Sequence, residues 1–492
     1  MSGSEYFALL RLTEPEIIVA LTGLLVLILD LSFLRRTSLA VRFRAAVAAS
    51  AIGCAVALGT MERLPAQGSL PGGMLVVNPL TLLIQAALLV LAILILLLVD
   101  SARFTKHVGE YCALMLFATT AMMLLVSTQN LLVIFITIEF LSLSLYILTG
   151  FDKQSRPSAE AGLTYFLFGG MSAGILLFGM SLLYGISGSL SLGEVATAVK
   201  RSPGDPLLTI AVVMVVTGFG FKIAAAPFHM WAPEVYQGAP TWSATLVASS
   251  SKVASFFALF VFFYLGLMGA AGSAARGNYS TGWAPLIAIV AVASMLWGNL
   301  AAIAQTSFRR LLAYSAIGHA GYMLIALVVH SRQGFVSLVY YVITYALATV
   351  GAFGVLAALE EERGDSIADF RGLSKRAPGL SFCLLIFLLS LAGIPPLAGF
   401  FGKFYVFVSA LDGADHSGLL WLVLLALGMS VVSFYYYLKV LKQAYVSDPA
   451  VGAEGIRVPA TTQIALWIAA ALVVLLGCWP DLLLDRIATA LR

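Results

Sequence analysis

Three lysines, Lys222, Lys252 and Lys403, lie inside apolar stretches that are long enough to cross a membrane. A lysine at the centre of a bilayer-spanning helix costs about 2.5–3.5 kcal/mol even on insertion scales. Ionisable residues in such positions usually face the protein interior or a water-filled cavity, and they mark paths for ions or protons. The lysines therefore indicate a protein that moves charge through a membrane.

Two of these lysines are accompanied by prolines that interrupt a helix. Pro227 follows Lys222, and Pro395 and Pro396 precede Lys403. Because proline has no N–H and crowds the carbonyl four residues earlier, each helix is expected to kink or open there. Opened backbone admits water, and a lysine beside it can change its protonation state with its surroundings. For Lys222, which lies towards the end of its span, snorkelling to the interface is the alternative.

Lys252, Glu139 and His319 are further intramembrane candidates for proton transfer. Lys252 follows three serines in a span where we expect an unbroken helix, and its alternative role is a buried hydrogen-bond donor. Glu139 needs a partner inside the membrane, for which Lys222 is the candidate. Such a pair is a switch, because a paired lysine holds its proton and a separated one can release it. The alternative is a protonated glutamate that joins two helices. His319 either relays protons between Lys252 and Lys403 or is a packed, hydrogen-bonded residue.

The remaining polar residues suggest no catalytic centre and no metal site. His229 and Glu234 follow the Pro227 break and are expected near an aqueous mouth. Lys439, after three tyrosines near a helix end, is expected to anchor at the membrane interface. The cysteines are far apart within apolar runs, which excludes the spacings of zinc, haem and iron–sulfur sites. We expect no cofactor to be bound by this chain.

The elements that position these residues are membrane-spanning helices. The chain is 61% hydrophobic and only 11% charged, whereas soluble proteins carry about 25% charged residues. Repeated apolar runs of about 20 residues predict an all-α polytopic membrane protein rather than a barrel. The net charge of +4 comes from loop residues and gives no indication of nucleic-acid binding.

We predict about 14 transmembrane helices arranged around two repeats. Residues 1–109 would hold helices 1–3, residues 110–267 a first repeat of five helices, residues 268–446 a second repeat, and residues 447–492 the last helix. Because five is odd, the two repeats would be inverted relative to each other. Each repeat contains a proline-broken helix, and such helices at corresponding positions of inverted repeats point to a transport path.

The distribution of basic residues predicts the orientation. One set of connections is rich in arginine and lysine, including Arg35, Arg36, Lys153, Arg309 and Arg310, and the opposite set carries fewer. By the positive-inside rule, both termini are then on the non-cytoplasmic side.

At these motifs the chain resembles a known family. Residues 222–241, KIAAAPFHMWAPEVYQGAPT, closely resemble the N subunit of proton-pumping NADH:quinone oxidoreductase, or respiratory complex I. Residues 313–322, AYSAIGHAGY, and 393–405, GIPPLAGFFGKFY, match the same family, and the similarity covers essentially the whole chain. The stretch around Pro227 is shared with antiporter-like relatives, whereas its continuation APEVYQGAPT is typical of the N subunit.

The resemblance implies an antiporter-like membrane-arm subunit that translocates protons, driven by quinone reduction elsewhere in the complex. It implies that Glu139 and Lys222 form the charged pair, that Lys252 is the central relay and that Lys403 faces the exit side. The resemblance implies that the complex uses FMN, iron–sulfur clusters and quinone. The partners of this chain would be the other membrane-arm subunits and the lipid bilayer. The location would be a bacterial inner membrane. One departure is Thr164, where the family usually has lysine.

Two alternatives to this function remain. A subunit of a multisubunit cation/proton antiporter would share the broken helices and their lysines, but residues 233–238 argue against it. A structural spacer whose lysines are relics is the third possibility. Replacement of Lys222 or Lys403 by methionine distinguishes it from a proton carrier.

Overall fold

The apolar runs become helices in the structure, a computed structural model that describes residues 3–65, 67–98, 105–360, 364–412, 418–449, 455–456 and 458–491. The helices are α1 (Gly3–Leu12), α2 (Glu14–Ile28), α3 (Leu39–Thr60), α4 (Pro79–Leu98), α5 (Val108–Val126), α6 (Leu131–Thr149), α7 (Arg156–Ser187), α8 (Leu192–Arg201), α9 (Pro206–Lys222), α10 (Trp231–Gly238), α11 (Thr241–Ala248), α12 (Ser250–Val261), α13 (Trp283–Ile303), α14 (Phe308–Val329), α15 (Arg332–Glu360), α16 (Leu373–Arg376), α17 (Pro378–Ala392), α18 (Ala398–Leu411), α19 (Leu420–Tyr445), α20 (Ala460–Cys478) and α21 (Asp481–Ala490).

Twelve helical segments in the described part of the chain are long and apolar enough to cross a membrane. Three shorter apolar helices, α9, α17 and α18, accompany them. The prediction of an all-helical polytopic membrane protein is therefore confirmed. A two-stranded antiparallel ribbon, β1 (Gly68–Ser69) and β2 (Val76–Val77), lies in the connection between α3 and α4.

The chain divides into two compact units. The first comprises Met1–Val215, Gly238–Gly269 and Thr489–Arg492, and α5 is at its centre, in contact with α2, α3, α4, α6 and α12. Asp30, in the short π-helical segment Leu29–Phe33 that follows α2, pairs with Arg42 of α3 through contacts of 2.6 and 2.7 Å and accepts the Gly109 N–H of α5 at 3.0 Å. One buried carboxylate thus fastens three helices at the same end.

The second unit comprises Val216–Gln237 and Ala270–Ala488. In it α13 packs closely along α14, and α15 contacts α14, α17, α18 and α20. Close approach of α13 and α14 depends on Gly298, since a Cβ there would lie 2.4 Å from the Gly318 nitrogen. This unit includes the end of α9 and both halves of the α17–α18 pair, and so it contains both proline-containing segments.

Candidate proton-transfer site

Lys222 is the last residue of α9, and the chain is non-helical from there to the start of α10. Within this segment Ala224 has a left-handed φ of +58°, and the Ala226–Pro227 peptide is cis. The Ala226 N–H donates to Ser294 Oγ of α13 at 2.8 Å, and Trp231 Nε1 donates to the Phe221 carbonyl at 3.0 Å. Side chains therefore hold this interruption in one conformation.

Lys222 lies at the C-terminal end of α9. Its side chain is buried, with 4% of the residue exposed. The last carbonyls of a helix carry partial negative charge, which stabilises a cation near the C-terminal end. Lys222 is thus placed where α9 itself offsets part of the cost of burying an ammonium group.

The second interruption separates α17 from α18. Gly393 ends α17 with a left-handed φ of +88°, and the Pro395–Pro396 peptide is cis. These prolines occupy the positions whose N–H groups would otherwise reach the Leu391 and Ala392 carbonyls. The end of α17 therefore presents two acceptors that no backbone donor of the same helix can satisfy.

Lys403 of α18 supplies the missing donor. Its Nζ donates to the Leu391 carbonyl at 3.1 Å and to the Ala392 carbonyl at 3.0 Å, and it donates to Ser430 Oγ of α19 at 3.0 Å. These three acceptors form what we call the Lys403 cradle. The ammonium also lies 5.0 Å from the centre of the Tyr322 ring, within range of a cation–π interaction. A buried lysine is thus held at the carbonyl end of a helix by geometry that suits its charged form.

His319 of α14 lies in a buried network of hydroxyl groups. Its Nδ1 is 2.7 Å from Tyr341 Oη, and its Nε2 is 3.2 Å from Tyr437 Oη. Tyr437 in turn bonds Ser315 one turn earlier on α14. Because a phenol can donate or accept, both tautomers of the imidazole and its cation find partners here. This arrangement can pass a proton through either ring nitrogen.

Tyr322 connects the surroundings of His319 with those of Lys403. Its ring centre is 5.8 Å from that of His319, and it lies under the Lys403 ammonium. Its hydroxyl accepts from Asn299 Nδ2 at 3.1 Å, and Asn299 Oδ1 accepts from Tyr436 at 3.2 Å. His319 and Lys403 therefore share one polar interior within the second unit.

Lys252 is buried on the first turn of α12, with 2% of the residue exposed. The expectation of an unbroken helix here was wrong, because α11 ends at Ala248 and Ser249 has non-helical angles of −115° and −84°. No proline is involved. Instead Ser249 Oγ donates back to the Thr245 carbonyl at 2.6 Å, and such side-chain bonds to the preceding turn bend helices. Lys252 consequently follows a local opening of its span.

Glu139 is half-buried on α6, and Thr164 is half-buried on the neighbouring α7. Glu139 belongs to the first unit and Lys222 to the second, so their pairing stays a prediction. Of the two residues expected near an aqueous mouth, His229 is buried and stacks edge-on against Trp297, whereas Glu234 is exposed.

Several partners could not be found by inspecting motifs. The residues that contact Lys403 and His319 are separated from them in the sequence. They are Ser430 for Lys403, and Tyr341 and Tyr437 for His319. Tyr437 belongs to the aromatic run that suggested an interfacial anchor, yet it is fully buried. Lys439 on the same helix donates to the Gln305 carbonyl at 3.1 Å. The described residues contain no cluster of three or more histidine, cysteine or acidic side chains that could hold a metal.

Comparison with known proteins identifies the family. A family model described as NADH:quinone oxidoreductase/Mrp antiporter, TM, matches residues 128–433. NADH-quinone oxidoreductase subunit N 2 of Acidobacterium capsulatum is 55% identical to this chain, over 98% of this chain and 99% of that protein. The chain belongs to the subunit N family of NADH-quinone oxidoreductase. The resemblance seen in the sequence motifs is thereby confirmed.

Chains of two solved structures share this fold. A chain of respiratory complex I from Thermus thermophilus with bound aureothin is 33% identical, with a TM-score of 0.79 over 96% of this chain and 99% of that one. A chain of the Mrp complex from Dietzia sp. DQ12-45-1b has a TM-score of 0.81 over 98% of this chain and 97% of that one, at 19% identity. The latter likeness concerns the fold alone.

Proposed function

We propose that this chain translocates protons as a membrane-arm subunit of a proton-pumping NADH:quinone oxidoreductase. The observation that carries the proposal is the Lys403 cradle. A buried ammonium group bound to the Leu391 and Ala392 carbonyls has a specific site for its charged form, and that site exists because Pro395 and Pro396 interrupt the helix. A lysine kept only for packing has no need of an opened helix.

The proposed path is a line formed by Glu139, Lys222, Lys252, His319 and Lys403. Glu139 and Lys222 act as the charged pair, Lys252 as the central relay, His319 as the link to Lys403, and Lys403 as the group at the exit side. The burial of all three lysines supports these roles, as do the two ring-nitrogen contacts of His319. If the lysine that the family usually has at the position of Thr164 tunes the first pair, this chain tunes that pair through other groups.

The proposed architecture has 14 spans, including two inverted repeats of five helices. The twelve long helices would be completed by two composite spans, one built on α9 and its following segment and one on α17 with α18. Each composite span contains an interruption beside a buried lysine. Inverted-repeat transporters form their substrate and ion sites near the bilayer midplane from such pairs of interrupted helices.

The proposed setting is a bacterial inner membrane with both termini on the non-cytoplasmic side. Other membrane-arm subunits would be the direct partners. FMN, the iron–sulfur clusters and quinone would act in other subunits of the complex. The positive-inside distribution of arginine and lysine supports the orientation.

The experiment is proton pumping by the assembled complex carrying Lys403→Met, measured together with NADH oxidation in the same vesicles. Lys439→Met is the matched control, because Lys439 is also partly buried and also donates to a backbone carbonyl of the second unit. We expect pumping per NADH to fall in the first variant and to be retained in the second. Equal pumping by both variants, at normal assembly, would refute the proposal.

A cation/proton antiporter subunit is the alternative, because the description of the matching family model names Mrp antiporters as well as NADH:quinone oxidoreductase. Affinity purification from native membranes separates the two. We expect flavin and iron–sulfur proteins to copurify with this chain. Recovery with small membrane proteins alone would favour the antiporter.

A further inference from the structure

A second buried carboxyl group lies outside the proposed line, in the first unit. Glu16 is on the first turn of α2, with 2% of the residue exposed. Gln85 of α4 lies against it, with Nε2 2.5 Å from Glu16 Oε1, 2.7 Å from Ser127 Oγ and 3.3 Å from the Met123 carbonyl. The beginnings of α2 and α4 and the end of α5 thus surround one amide and one carboxyl group.

The other oxygen, Glu16 Oε2, is buried and receives no hydrogen bond from the described residues. Helix α4 has no titratable side chain. The described titratable side chains at the same end of the neighbouring elements are Arg11 on α1, Glu14 on α2, and Glu62 and Arg63 after α3. Arg11, Glu62 and Arg63 are exposed. The titratable side chains of α3 and α5 likewise form no ion pair or hydrogen bond with Glu16. Arg42 of α3 is held by Asp30, beyond the far end of α2. No cation among the described residues forms an ion pair with this carboxyl group.

The short contact with Gln85 fits a protonated acid. An N–H···O bond usually measures about 2.7–3.2 Å, whereas an O–H···O bond measures about 2.5–3.0 Å. The 2.5 Å separation accommodates an O–H of Glu16 that donates to the amide oxygen, with the Gln85 amide turned end for end, which gives up the 3.3 Å bond to the Met123 carbonyl. In that orientation the Ser127 hydroxyl donates to the same amide oxygen. An ionised carboxylate here would be buried without a counter-charge, which is far more costly.

We propose that Glu16 is a proton-binding carboxyl group, separate from the Glu139–Lys403 line, which holds its proton against the Gln85 amide. Glu16 is the third residue of α2, so its carboxyl group lies within about one turn of the helix start. The Ser127 carbonyl accepts the Val76 N–H of the β1–β2 ribbon at 2.6 Å, so the site lies directly beneath that surface ribbon. We expect the proton to exchange with water at the end of the unit where α2 and α4 begin. This inference does not depend on the proposed function.

The test is labelling by dicyclohexylcarbodiimide, an apolar reagent that reacts with protonated carboxyl groups. The acid O–H adds across one C=N bond, its proton passes to nitrogen, and the resulting O-acylisourea rearranges to a stable N-acylurea. Membranes that contain the assembled complex are labelled at a series of pH values and digested with trypsin. One peptide, between Arg11 and Arg35, contains Glu14, Glu16 and Asp30, so all three carboxyl groups are compared in one mass spectrum.

We expect the label on Glu16, with about a tenfold fall per pH unit once the group ionises. Asp30, ion-paired with Arg42, is the internal control and should stay unlabelled. Glu16→Gln should remove the label, whereas Glu14→Gln should leave it. The proposal is overturned if Glu16 stays unlabelled across the pH series while other carboxyl groups in the same membranes react. It is equally overturned if replacing choline by sodium ions protects Glu16, because the site would then hold a metal cation.

Discussion

Replacement of Gly393 by alanine tests whether the Lys403 cradle is needed for function. Gly393 has a φ of +88°, and a Cβ there would lie 3.1 Å from Lys403 Cδ and 3.3 Å from its Nζ. Gly188 has a φ of +68°, and a Cβ there would meet nothing within 4 Å. Both alanine variants incur a left-handed backbone cost of about 1–2 kcal/mol. Only Gly393→Ala additionally pushes the lysine away from its carbonyl acceptors.

The additional effect can be estimated from the hydrogen bonds at risk. A hydrogen bond to a charged group contributes about 1.5–3 kcal/mol, and about 1.4 kcal/mol corresponds to a factor of ten in population. Loss of one bond to the Leu391 or Ala392 carbonyl would therefore lower the occupancy of the cradle about tenfold to a hundredfold. We expect Gly393→Ala to lose more thermal stability than Gly188→Ala, by the value of this bond, and only Gly393→Ala to lose proton pumping.

The assay is a fluorescent pH-gradient measurement in inverted membrane vesicles, with NADH oxidation followed in the same cuvette. Assembly is checked by the flavin content of the purified complex. If Gly393→Ala pumps as well as Gly188→Ala at equal assembly, the cradle has no functional role and the reasoning from the interrupted helix fails.

Three further outcomes are expected. Ser294→Ala removes the acceptor of the Ala226 N–H, so the segment after α9 should lose about 1–3 kcal/mol of local stability. Hydrogen exchange at the Ala226 amide measures this loss, and an unchanged exchange rate would contradict the prediction. Asp30→Asn leaves Arg42 without its partner and should destabilise the subunit by about 3–5 kcal/mol, visible as a lower midpoint of thermal unfolding. Tyr437→Phe removes a hydroxyl from His319 and should slow pumping without reducing assembly; an unchanged pumping rate would exclude this tyrosine from the path.

The helical fold could be predicted from composition and run length alone. In a bilayer every backbone polar group must be hydrogen-bonded within the protein, so apolar runs of this length form membrane-spanning helices. By the same rule, prolines next to buried lysines indicate a functional site, because each proline leaves a carbonyl that needs another hydrogen-bond donor. Lys403 provides that donor for Leu391 and Ala392.

Other features depend on packing that no local pattern encodes. The interruption at Ser249 comes from serine and threonine hydroxyls that bond back to the preceding turn, although such residues often sit in regular helices. Ser430 reaches Lys403 from a different helix. Glu16 is an ordinary residue for the first turn of a helix, where acidic side chains are favoured. What distinguishes Glu16 is its contact with the side chain of Gln85, which lies 69 residues further along the sequence.

The most direct test of the proton path is the number of protons moved per NADH oxidised by the complex carrying Lys222→Met. Lys200→Met, which alters an exposed lysine of α8, is the control. The account predicts a lower ratio for Lys222→Met and the wild-type ratio for Lys200→Met, with both complexes fully assembled. A wild-type ratio for Lys222→Met would contradict the claim that buried lysines of this chain carry protons.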